Sequence, residues 1–88
     1  MTYHYPRELA DALLALGLAP TSTTPPAFAR GAIDELYKYE LRRLRHQHRI
    51  GEVARDHYLG RVIALRKKYW MLTLPLAAWE RICSTPTS

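Results

Sequence analysis

The chain has little of the material from which disulfide, metal and base-reading sites are made. It contains one cysteine, no asparagine and one glutamine among 88 residues. Cys83 alone cannot form an internal disulfide and has no second cysteine spaced for zinc, so we expect a small buried apolar side chain in a protein of a reducing compartment. Because Gln47 is the only side-chain amide, readout of base edges through amides is nearly excluded.

Long apolar runs are also missing. No run approaches the ~20 residues that a membrane helix requires. The Leu/Ala run after Pro6 is interrupted by Glu8 and Asp11, and no basic cluster precedes it, so it is a poor signal peptide. We therefore expect a soluble, cytoplasmic protein with no membrane partner.

The predicted helices offer few groups for catalysis. All serines lie in a connector or in the C-terminal tail, and the four glycines are isolated rather than grouped in a phosphate loop. Asp34, Glu35 and Glu40 lie among arginines at positions expected to be exposed, where ordinary ionisation is the default. We expect no enzymatic activity, no cofactor and no small-molecule substrate.

The histidines do not form a metal motif. His46 and His48 are two residues apart, which places them about 160° from each other on a helix. A site built from His48 and His57 across the turn at Gly51 is conceivable, but no third ligand is placed for it. We therefore predict no metal site.

Helical periodicity bounded by proline and glycine is what the chain does have. Leu9, Leu13 and Leu16 recur at helical spacing, and Gly17 supplies a stop. The Pro/Thr-rich stretch 19–27 cannot hold regular hydrogen bonding and is read as a connector. We predict helices at about 6–16, 25–49, 52–72 and 74–83.

These elements predict a small all-α bundle in a single domain, 1–88, with a flexible tail at 84–88. The two long helices form an antiparallel hairpin closed at Gly51, and the two short helices buttress it because two helices alone bury too little surface. Thr24 and Thr73 are placed to cap the second and fourth helices. The fourth helix carries Leu76, Trp79 and Ile82 on one side.

The first long helix has two ordered faces at about 100° per residue. Its apolar face is expected to meet the other long helix and consists of Ile33, Tyr37, Leu41, Leu44 and His48. Its basic face, which we call the arginine ridge, consists of Lys38, Arg42, Arg45 and Arg49.

The basic charge is concentrated on the hairpin. Residues 30–72 hold eleven Lys/Arg and five Asp/Glu, a net charge of +6, while the rest of the chain sums to −1. The arginine ridge could contact phosphates of a nucleic acid. The competing interpretation is an ordinary solvated face, in which Asp34 pairs locally with Lys38 at i,i+4.

The second long helix carries two apolar stripes. The first, facing the hairpin partner, consists of Tyr58, Val62, Leu65 and Tyr69. Leu59, Ile63 and Trp70 make the second, about 120° further round, with Arg66 beside Trp70. Either the short helices cover this second stripe, or it stays open for a protein partner or a second copy of the chain. Arg66 could also cap a core tryptophan.

The prediction is a non-enzymatic binding, adaptor or regulatory protein that acts on a protein partner, with a homodimer as one form of that hypothesis. Its protein-interaction residues are Leu59, Ile63, Arg66 and Trp70. The alternative is a basic protein that contacts nucleic-acid phosphates through the arginine ridge.

Overall fold

The computed structural model describes residues 2–84, and its elements are helical. The prediction of an all-α bundle with one long hairpin and two short helices is confirmed. Among the described residues the helices are α1 (Arg7–Ala15), α2 (Pro26–Arg49), α3 (Arg55–Lys68), a 3₁₀ helix (Trp70–Thr73) and α4 (Leu76–Cys83). None of them has both the length and the apolar character of a membrane span.

One end of the molecule holds the main core, and we call it the base: residues 2–39 together with 69–84. Here α1, the first half of α2, the 3₁₀ helix and α4 pack together, and their apolar spacing supplies one buried side from each. The buried residues of this cluster are Leu9, Leu13, Ala29, Ile33, Tyr69, Met71, Trp79 and Cys83. Cys83 is buried, as expected from the sequence.

The rest of the hairpin projects from the base, and we call it the arm: residues 40–68. It contains the second half of α2, the turn and α3, and it makes the molecule elongated, 55 × 20 × 16 Å. Only Leu44 and Val53 are buried in it, and no residue of α3 is. Two helices alone cover each other on one side only, so most of the arm's surface stays in water.

Both turns after α1 and α2 depend on a glycine with positive φ. Gly17 has φ 92° and Gly51 has φ 85°. Behind Gly51, the N–H of Glu52 donates to the carbonyl of Gln47 at 2.9 Å and the N–H of Gly51 donates to that of His48 at 3.2 Å. This pattern ends a helix by satisfying its last carbonyls, and a side chain at either glycine would be strained.

The third predicted helix, 52–72, is shorter than expected at both ends. Residues 51–54 are used by the turn, since Glu52 and Val53 both donate to Gln47 instead of starting a helix. At the other end α3 stops at Lys68, and Trp70–Thr73 form a separate 3₁₀ helix.

Two side chains hold that 3₁₀ segment from outside. The Arg30 guanidinium donates to the carbonyls of Leu74 at 3.0 Å and Leu72 at 3.2 Å. The indole of Trp79 donates to the carbonyl of Met71 at 2.9 Å. These bonds satisfy backbone groups that a tight helical turn leaves free.

Two local predictions, the threonine caps of α2 and α4, are wrong. α2 and α4 begin behind Pro25 and Pro75 without a side-chain cap, because Thr24 bonds to Thr21 and the Thr73 hydroxyl donates back to Trp70. The buried side of α4 is Trp79 with Cys83, while Leu76 and Ile82 are exposed. Trp79 and Cys83 lie one helical turn apart, and they are the two residues that α4 packs into the base.

The two described ends of the chain meet in the base. Tyr3 forms an isolated antiparallel bridge with Ser84, and the N–H of His4 donates to the carbonyl of Cys83 at 2.9 Å. The Tyr5 hydroxyl donates to Thr24 in the connector at 2.8 Å. Of the predicted flexible tail, 84–88, all but Ser84 lie outside the described residues.

Candidate protein-interaction surface and arginine ridge

The inner face of α3 is the stripe predicted to pack on α2. Tyr58, Val62 and Leu65 are half-buried, and Tyr69 just beyond the helix is buried. At the far end of the arm the His48 ring stacks on Tyr58, with centroids 4.3 Å apart and planes at 17°. His48 Nδ1 also lies 3.1 Å from the carbonyl oxygen of Val53. His48 therefore closes the end of the arm.

The outer face of α3 is open at its apolar residues. Leu59 is 57% exposed and Ile63 is 53% exposed, one helical turn apart. The short helices lie at the base, so the interpretation in which they cover this stripe is wrong for these two residues. Two aliphatic side chains thus share one unpartnered side of a helix that is packed on α2 alone over the arm.

Trp70 does not extend that stripe in the way that the sequence predicted. Because α3 ends at Lys68, Trp70 leaves the helical register of Leu59 and Ile63. Trp70 instead belongs to the base, where it is 38% exposed and lines a small depression with Leu9 and other residues of α1 and α4. Arg66 is exposed on α3 and borders a separate depression beside Tyr69.

The aromatic ring expected beside Arg66 is also different. The buried tryptophan is Trp79, so capping of a core tryptophan by Arg66 does not describe the structure. Among residues 2–84 it is Lys68 that lies above an aromatic ring, with its Nζ 5.7 Å from the ring centroid of Tyr69.

The arginine ridge divides into a paired and an unpaired part. Lys38 Nζ lies 3.0 Å from Asp34, the predicted i,i+4 pair, and 3.9 Å from Glu35. The hydrogen bond to Asp34 and the charge of that carboxylate raise the pKa of Lys38. Further along, three arginines are exposed and have no carboxylate partner within 4.0 Å among residues 2–84. They are Arg42, Arg45 and Arg49.

A groove on the arm between α2 and α3 was not predicted. It has a volume of ≈310 Å³, and Arg43 of α2 and Arg61 of α3 line it together. Leu44 and Leu65 lie along the same groove, with Glu40 at one end and Gln47 at the other. The i, i+3, i+7 spacing of Glu40, Arg43 and Gln47 is the sequence signal that could have identified one wall of it.

A polar network joins the arm to the base. The Tyr69 hydroxyl donates to the Glu40 carboxylate, which Lys68 Nζ also contacts at 3.3 Å. Burial, and then the hydrogen bond and charge of Glu40, raise the pKa of Tyr69 well above its ordinary value. The Tyr37 ring packs on Tyr69 with centroids 5.3 Å apart. The sequence predicted Tyr69 only as an apolar stripe residue, so its hydroxyl contact was missed.

Neither the histidines nor the cysteine forms a reactive cluster in the part of the chain that is described. Within residues 2–84 no three His, Cys, Asp or Glu side chains are grouped to hold a metal ion. Burial raises the pKa of the Cys83 thiol, which keeps it in the less reactive protonated form.

No protein-family model matches the chain, and neither a curated protein nor a solved structure matches it.

Proposed function

We propose that this is a non-enzymatic binding protein, an adaptor or regulator, whose arm holds a protein partner on the outer face of α3. The observation that carries the proposal is the exposure of Leu59 and Ile63, one turn apart, on a helix with no buried residue of its own. Burying these two side chains in an interface removes apolar surface from water, worth ~25 cal/mol per Å².

The surroundings of these residues fit a protein partner. Arg66 lies on the same side of α3 as Leu59, and arginine is enriched in protein interfaces. The single cysteine, which is buried, suits a reducing compartment, and on that ground a cytoplasmic location is part of the proposal.

Site-specific photo-crosslinking in living cells tests this function. A photoreactive benzoylphenylalanine at Leu59 should give discrete protein adducts, because that side chain is exposed on the proposed surface. The same group at Phe28, which is 64% exposed on the base, is the matched control and should give none of them.

A second substitution decides whether those adducts depend on the surface. Ile63→Glu places a charge on the exposed face without entering a core, so the helical circular dichroism should stay unchanged while the adducts disappear. Absence of adducts at Leu59, or adducts that Ile63→Glu leaves intact, would contradict the proposed function.

The unpaired part of the arginine ridge supports a second candidate function, contact with nucleic-acid phosphates. Arg42, Arg45 and Arg49 are exposed at roughly one per turn, and their charge is not neutralised by a neighbouring carboxylate within residues 2–84. Guanidinium groups in such a row can bind phosphates bidentately. This candidate requires the row as a whole, since base-reading amides are nearly absent.

Fluorescence anisotropy against labelled duplex DNA and single-stranded RNA at several salt concentrations tests it. Each phosphate contact to duplex DNA contributes about −0.9 to the slope of log affinity against log salt. Arg45→Glu with Arg49→Glu should therefore flatten the slope by about two. Arg7→Glu with Arg81→Glu, which makes the same change in net charge on the base, should leave the slope nearly unchanged. Equal slopes for both double variants would exclude the ridge.

A further inference from the structure

We propose that the partner on the outer face of α3 is a second copy of this chain, bound antiparallel through α3. This inference rests on the proposed function, because it names the occupant of the same face. It adds a register, and the register follows from how charge and side-chain size are arranged along the 14 residues of α3.

The outer face of α3 has a charged centre with two different flanks. At about 100° per residue, Asp56 and Lys67 fall within about 20° of each other, roughly opposite the inner stripe. The large flank consists of Leu59 and Ile63, both exposed. The small flank consists of Gly60 and Ala64.

The small flank leaves room for a second helix. Nothing lies within 4 Å of the position that a Cβ would take at Gly60. Gly60, Ala64 and Asp56 line one shallow depression on this side of α3. A glycine inside a helix costs up to about 1 kcal/mol of stability relative to alanine. Close approach of a second backbone at Gly60 would account for a glycine at this position.

A two-fold axis perpendicular to two antiparallel helices matches each flank with the same flank of the copy. Leu59 then packs on the partner's Ile63, and Gly60 lies against the partner's Ala64. The same arrangement places Asp56 beside the partner's Lys67. The midpoint of each pair gives the place where the axis crosses α3. All three midpoints lie within one residue of each other, at Arg61 and Val62.

The charges select a copy in this orientation. Asp56 is the only acidic residue of α3, and neither it nor Lys67 has an ion-pair partner within residues 2–84. In the antiparallel register each Asp56 faces the partner's Lys67, so the dimer contains this ion pair twice. A parallel pairing would instead place Asp56 against the partner's Asp56. Opposite charges across an interface fix orientation and reject the wrong one.

The contact is small, so the dimer should be weak. Fourteen residues make a helix about 21 Å long at 1.5 Å per residue, and one such helix pair buries less than the ~1,200 Å² of a standard interface. We expect a concentration-dependent dimer, in which salt screens the two Asp56–Lys67 pairs as well as the repulsion between the basic residues of the two helices.

Charge reversal tested by sedimentation equilibrium decides the register. Asp56→Lys and Lys67→Asp should each weaken the dimer by about tenfold or more, because each places two like charges in contact twice. The double variant D56K/K67D should return to within about threefold of the unaltered protein, since the pairs re-form with reversed sign. Glu80→Lys changes the net charge of the base as much as Asp56→Lys changes that of α3 and should dimerise normally.

A size change supplies an independent check. Gly60→Leu fills the depression and improves helix propensity, so the protein should remain folded and become monomeric. Circular dichroism of each variant confirms that α3 is retained. A monomeric unaltered protein at concentrations up to about 1 mM, undiminished association in the single reversals, or no restoration in D56K/K67D would each overturn the proposal.

The crosslinking experiment separates this failure from failure of the proposed function. Adducts at Leu59 with the mass of two chains support the copy as partner. Adducts of another mass together with a monomeric purified protein would overturn the dimer and retain a binding face on α3. Absence of any adduct would contradict both.

Discussion

The base and the arm are built from the same long helix but bury very different amounts of it. In the base, α2 is covered by α1, α4 and the 3₁₀ helix, and Ala29 and Ile33 are fully enclosed. In the arm it has α3 alone as its neighbour, and Leu44 is its only buried residue. The number of neighbours, rather than helix propensity, therefore decides where this protein is stable and where it presents surface.

Removing the central side chain of the base should have the largest effect. Trp79 has no exposed surface, and its indole bonds to Met71, so Trp79→Ala should lower the free energy of unfolding by about 3–5 kcal/mol. Urea denaturation followed by circular dichroism measures the loss. A change below about 1 kcal/mol would show that the base is not the stable region.

A smaller loss is expected from the buried leucine of the arm. Leu44→Ala should cost about 2 kcal/mol, because a two-helix contact can close around part of the gap. Ile33→Ala in the base is the matched control and should cost more. Amide hydrogen exchange should also be fastest in α3 in both variants. Equal costs at the two sites would remove the distinction between the regions.

Alkaline pH should lower the stability of the base and of the Tyr69–Glu40 contact that joins the base to the arm. The pKa of Tyr5 is raised to about 12, mainly by burial and to a smaller extent by the charges of Cys83 and Tyr3. The pKa of Tyr69 is also raised. The folded state holds these protons more tightly, so their stabilisation is complete below the ordinary tyrosine value near 10 and is lost as pH rises through the raised values. Denaturation measured between pH 9 and 12 should show falling stability.

Tyr69→Phe tests the contribution of the Tyr69–Glu40 contact by itself. The variant loses the hydrogen bond to Glu40 while keeping the ring, which should cost about 0.5–1.5 kcal/mol near neutral pH. Its stability should also fall less steeply at high pH than that of the unaltered protein. An identical alkaline slope would show that Tyr69 does not contribute to it.

The smallest effect is expected on the outer face of α3. Ile63→Ser should change the unfolding free energy of the dilute, monomeric protein by no more than about 0.5 kcal/mol, since the side chain is mostly in water. Thermal denaturation at low concentration measures it. A loss above about 2 kcal/mol would mean that Ile63 is packed in the monomer.

Local signals predicted the helices, and tertiary packing decided what the helices expose. Proline and glycine marked the helix boundaries within a few residues, and periodicity identified Leu9, Leu13 and the inner stripe of α3. The break after Lys68 could not be predicted from the chain nearby, because Arg30 stabilises it from 42 and 44 residues away.

The candidate sites show the same division. The sequence identified Leu59 and Ile63 as one stripe, but their exposure depends on where α1 and α4 lie. Trp70 falls on the same stripe only if the helix continues without a break to residue 72. The structure separates it from them. The functional roles of these residues and of the arginine ridge stay predictions until they are measured.

The order of the two regions along the chain has a consequence for how the protein folds. The core of the base joins Leu9 to Cys83 across almost the whole described chain, whereas the arm is a local hairpin that closes over the short turn at Gly51. Closing a short loop costs less entropy than closing a long one. We expect the sparsely buried arm to form early and to bring Tyr37 and Tyr69 together, so that the less stable region guides the assembly of the more stable one.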